Sequence, residues 1–125
     1  MQNIQQLYPN LQENIETIQK IDVSAESVDG YQELQGICSR FLPFTLQDLD
    51  GMSAPLLSLL LKRSHGLDLE KGLVALAIWD KLLEMENNLF CIAVYRKNIQ
   101  EFEQMLLVSA QKQEVSLSGY VVQTA

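Results

Sequence analysis

The sequence predicts an all-α fold, a compact bundle of five or six helices that ends in an extended C-terminal segment. Three observations point there. Apolar residues recur at steps of three and four over most of the chain, which is the pattern of helices that each bury one face. Only 6 of 125 residues are glycine and 3 are proline, too few turn-formers for a many-stranded β fold. A content of 47% hydrophobic and 20% charged residues supplies one core at this length without disulfide or metal staples. Residues 1–125 are therefore expected to form a single helical domain. The stretch 67–108 organises it, because it carries the one tryptophan, Trp79, and two consecutive helical patterns.

Ile4, Leu7, Leu11, Ile15, Ile18 and Ile21 form one apolar stripe with Gln, Asn and Glu opposite. Proline fits a helix only in its first turn, so Pro9 places the main helix over 9–20 and leaves 1–8 as a short turn or mobile arm. Val28, Tyr31, Leu34, Cys38 and Phe41 mark a second helix after the capping candidates Asp22 and Ser24, and Pro43 ends it. Thr45 and Asp48 resemble a capping box opening one short turn that Gly51 closes. Ser53 caps a further helix through Leu61, with Lys62, Arg63 and His65 in its last turn, where positive charge suits the helix dipole, and Gly66 beyond it.

Asp68 can cap the central helix, whose middle (Leu73, Val74, Leu76, Ile78, Trp79) is apolar on nearly every side. Asn87 and Asn88 break the pattern. From Leu89 onward Ile92, Tyr95, Ile99, Phe102 and Leu106 alternate at three and four, a seam about two heptads long. The alternative is an α+β fold with strands near 89–95 and 115–122, since both stretches are rich in β-branched and aromatic residues. Helix is preferred for the first because its stripe continues in phase to Leu106, and an extended tail over 114–125 for the second.

Charge excludes more function classes than it identifies. The formal net charge is −7, and residues 1–53 hold eight of the sixteen acids against Lys20 and Arg40 alone. A field of that sign repels phosphate backbones and anionic lipid, which argues against nucleic-acid and membrane binding, while a basic protein would be steered towards it. No apolar run approaches the length of a membrane span, and the polar first twenty residues do not form a secretory signal, so a cytoplasmic protein is expected. Cys38 and Cys91 lie among apolar neighbours and are read as reduced core residues.

No catalytic constellation emerges. His65 is the sole histidine, which removes histidine-rich metal sites and the paired Glu-x-x-His arrangement of helical di-metal centres. Glu84 with Asp80, and Glu101 with Glu103, read as solvated helix faces; phosphate-binding glycine motifs are absent. The expectation is a non-enzymatic protein that needs no cofactor and binds another protein as a chaperone, adaptor or inhibitor. Its candidate contacts are Ile4 and Leu7 in the arm, the acids Glu13, Glu16, Glu26 and Glu33, and Tyr120 and Val122 in the tail. Two alternatives accompany it: an apolar interhelical pocket near Trp79, Tyr95 and His65 holding a small molecule, and a homo-oligomer paired through Ile92, Tyr95, Ile99, Phe102 and Leu106.

Overall fold

The computed structural model describes residues 2–24, 28–65 and 68–121. Seven helices are present among them: α1 (Ile4–Leu7), α2 (Leu11–Lys20), α3 (Val28–Phe41), α4 (Leu46–Gly51), α5 (Ala54–His65), α6 (Leu69–Met85) and α7 (Leu89–Lys112). Two short strands, β1 (Gln2–Asn3) and β2 (Val115–Ser116), pair in parallel with Gln2 opposite Val115 and Asn3 opposite Ser116. The predicted all-α architecture is thus the observed one, and the C-terminal segment, over its described residues, forms a two-residue strand and a following turn. The alternative strand at 89–95 is not formed, because those residues begin the longest helix.

Helix α6 is the axis of the molecule. It packs against α2, α3, α5 and α7, and Leu69, Leu73, Val74, Leu76, Ile78, Trp79 and Leu82 are all buried. Its start is fixed by Asp68, whose Oδ1 accepts hydrogen bonds from the backbone N–H groups of Glu70 (3.0 Å) and Lys71 (3.3 Å). Asn88 does the same for α7, accepting from Phe90 at 2.9 Å and Cys91 at 3.3 Å. The Thr45–Asp48 capping box is complete, with the Asp48 carboxylate accepting from the Thr45 N–H at 3.0 Å and the Thr45 hydroxyl accepting from the Asp48 N–H at 3.2 Å.

The contact between α6 and α7 is close because of Gly72. A Cβ at that position would lie 2.5 Å from Leu106 Cδ2, nearer than any ordinary contact, so the absent side chain is what lets α7 settle. The seam of α7 is used here: Tyr95, Ile99, Phe102 and Leu106 are buried within the chain and Ile92 partly so. The seam that sequence offered to a second copy is thus covered, for the most part, by the chain's own helices.

The first residues are also part of the body. Ile4 is 1% exposed. The chain leaves α7 through Gln113 and then Glu114, which takes a left-handed conformation (φ 57°) and turns β2 back against β1. Val115, Leu117 and Val121 are buried as a result. The segment read as a short turn or mobile arm is, over the described residues, folded down with Ile4 in the core and Leu7 partly exposed.

Candidate partner-binding face

The structure divides the candidate contact residues into three groups. Ile4 is in the core and offers nothing to a partner; this corrects its assignment, and the cause is the β1–β2 pairing that draws the N-terminus inward. Leu7 is 40% exposed and Glu13, Glu16 and Glu33 are fully at the surface. Glu26 and Val122 lie outside the described residues.

Tyr120 is half-buried and is brought to the N-terminal half of the chain. Gln5 Nε2 donates to its hydroxyl at 3.2 Å, a link between residues 115 positions apart. The ring borders a narrow cleft of about 110 Å³ whose walls include Gln12, Ile15 and Gln19 of α2, Ala77 and Asp80 of α6, and Gly119. Gly119 has φ 92°, a left-handed value that an L side chain adopts only with strain, and this turn sets Tyr120 against α2. Gln12 Nε2 donates to Glu16 Oε1 at 3.0 Å and so holds that carboxylate along the outer edge of the helix. Leu7, the acids of α2 and Tyr120 were separate expectations in sequence; Tyr120 and α2 now share one face.

Among the described residues the one ion pair is Lys81 with Glu84, at 3.1 Å. Glu13 and Glu16 are in no ion pair among the described residues, although Lys20 lies one turn beyond Glu16 on α2. On α6 the carboxyl of Asp80 is raised above its usual value, chiefly by desolvation and further by Glu84. Glu103 on α7 is raised too, by desolvation and then by Asp80. Asp80, Glu84 and Glu103 therefore interact as like charges, where sequence gave independent solvated faces. No three His, Cys, Asp or Glu side chains among the described residues are placed to hold a metal ion.

Of the residues expected around an interhelical pocket, Trp79 lies in the core. Trp79 is completely buried, its indole N–H donates to the Leu49 carbonyl at 3.3 Å, and its ring meets Phe102 edge-on at 5.5 Å between centroids. An indole so packed and satisfied is core. Tyr95 instead borders a groove of about 460 Å³ with Tyr31, Gln47, Asp50, Met85 and Glu86; the side chain of His65 lies outside the described residues.

Other surface features were missed. Leu89 and Phe90, which the apolar run 89–95 suggested were interior, are 83% and 76% exposed. They occupy the first turn after the Asn88 cap, beyond the reach of α6, and the cap itself is the signal that could have placed them there. A groove between α5 and α7 is lined by Ser58, Lys62, Gln104, Met105, Val108, Ser109 and Lys112. Its residues come from two separate helical patterns, and only the packing joins them.

Comparison of the chain with protein-family models, with curated proteins and with solved structures gives no match in any of the three.

Proposed function

We propose that the protein is a non-enzymatic binding protein, of the chaperone, adaptor or inhibitor type, that captures a basic partner on the face built by α2 and the C-terminal tail. The observation that carries this reading is the placement of Tyr120 in a cleft against Gln12, Ile15 and Gln19 of α2, the helix that also exposes Glu13 and Glu16, neither of them in an ion pair among the described residues. An amphipathic aromatic ring beside a helix that exposes carboxylates suits a partner segment that carries Lys or Arg together with apolar side chains. Leu7, in the segment whose Gln5 meets Tyr120, would extend the contact, and Glu33 would add to the acidic surface. The two free thiols, Cys38 and Cys91, support a reducing compartment such as the cytoplasm.

The test is capture from native extract at low and high salt, with the unmodified chain beside a variant carrying Glu13→Lys and Glu16→Lys. The expected result is a stoichiometric basic partner that is lost at high salt, with association slowed about tenfold or more in the variant while the circular dichroism and melting temperature stay the same. Retention of the same proteins by both chains removes the acidic face from the mechanism.

A further inference from the structure

We infer that the groove between α5 and α7 is a binding site for a small amphiphilic anion, a carboxylate head on a short unbranched apolar body. Independently of the face proposed above, it has the opposite electrostatic character. In a chain of net charge −7, the groove is lined by two lysines, Lys62 and Lys112, and, among the described residues, by no carboxylate. Neither lysine is in an ion pair among the described residues. Met105 and Val108 give it an apolar floor, and the hydroxyls of Ser58 and Ser109 provide two further hydrogen-bond donors. A site of mostly apolar lining with a few polar groups fixing one end is the ordinary design for a small ligand.

Size restricts the ligand further. The groove, open to solvent along one side, offers about 350 Å³, room for roughly a dozen groups of water size at about 30 Å³ each. A chain of eight to ten carbons with a carboxylate, about a dozen heavy atoms, matches that room. Helix-dipole complementarity accounts for a basic residue in the last turn of each helix. It does not account for their convergence on one cleft with an apolar floor.

Decanoate is the probe, titrated by calorimetry into the full-length chain, with decyltrimethylammonium as the cationic control and acetate as the head alone. The expected outcome is saturable binding of one decanoate per chain, with acetate and the cation at least tenfold weaker. Lys62→Gln and Lys112→Gln should each weaken decanoate by roughly fivefold, the scale of one solvent-accessible charge contact. Arg63→Gln, in the same turn but outside the groove, should leave it unchanged. Val108→Ser should weaken decanoate by removing floor contact; because Val108 is 51% exposed, this variant keeps its fold. Equal binding of the anion and the cation, no saturable decanoate binding, or loss of affinity in Arg63→Gln equal to that in Lys62→Gln would each overturn the inference.

Discussion

Gly72 allows the packing of α6 on α7 to be tested by a sign reversal. Adding a methyl group there brings Cβ to 2.5 Å from Leu106 Cδ2, with Phe102 Cζ at 3.6 Å behind it. Leu106 and Phe102 are both completely buried, so the methyl has no open side to move into. Overpacking a well-filled core costs about 1–3 kcal/mol. Replacing glycine by alanine within a helix returns about 1 kcal/mol through propensity. Gly72→Ala should therefore lower stability by about 0–2 kcal/mol. Leu106→Ala alone should cost about 2–5 kcal/mol through lost contacts and a residual cavity. In that second background the obstructing methyl group is gone, the new alanine partly fills the space, and only the propensity gain remains. Gly72→Ala should then stabilise by about 1 kcal/mol, giving a coupling of about 1–3 kcal/mol between the two positions. Urea unfolding of the four chains, followed by Trp79 fluorescence, measures each corner of the cycle provided the m-value is constant. The same change in both backgrounds would show that the two helices do not meet through Gly72.

Three further predictions concern the described surface and core. Asp80, Glu103 and Glu70 all have raised carboxyl values, set first by desolvation. The folded chain thus binds their protons more tightly than the unfolded chain, so they add stability as pH falls through the range just above the ordinary values of 3.8 and 4.5, and that contribution disappears as pH rises. Asp80→Asn should raise the melting temperature at pH 7 and reduce the difference between pH 7 and pH 5; a lower melting temperature at pH 7 would mean that the charge is stabilising. Burial, with Asp48 adding to it, pushes the Cys38 thiol up to about 11, and its Sγ donates to the Phe44 carbonyl at 2.9 Å. Iodoacetamide at pH 8 should modify partly exposed Cys91 well before Cys38, read by peptide mass, and equal rates would contradict the buried placement. Ile4→Ala should cost about 2–5 kcal/mol in urea unfolding, whereas an arm free of the core would lose almost nothing.

How much of this was legible depends on whether a feature is local. Caps are local: Thr45 with Asp48, Asp68 and Asn88 each satisfy N–H groups within a few residues; the first two sit where their residue types indicated, and Asn88, read only as a break, caps α7. The all-round apolar middle of α6 was equally readable, because only a surrounded helix can hide Val74, Ile78 and Trp79 together. Periodicity, however, states that a face is to be buried and not against what. The stripe of α7 could serve a second copy or the chain's own core, and within the chain it packs on the core with its close approach at Gly72. Nothing near Gly72 in sequence announces Leu106. The two-residue strands were beyond reach for a related reason. A pairing of Gln2–Asn3 with Val115–Ser116 is too short to have a period, and it joins opposite ends of the chain.

That closure bears on the candidate face as well as on stability. Tyr120 reaches α2 only because Glu114 and Gly119 turn the chain back and β2 finds β1, so the face exists only when both termini are in place. Exposed charge is unevenly spread: α2, α3 and α4 expose Glu13, Glu16, Asp29, Glu33, Asp48 and Asp50 against Lys20 and Arg40, α6 exposes Asp80 and Glu84, and α5 and α7 expose Lys62, Arg63, Arg96, Lys97 and Lys112 beside the half-buried Glu101 and Glu103. A net charge of −7 therefore does not fall evenly on the helices. A basic partner and a small anion would be drawn to different helices, and neither need displace the other. Salt would weaken both interactions, so substitution at Glu13 and Glu16 or at Lys62 and Lys112, and not ionic strength, separates them.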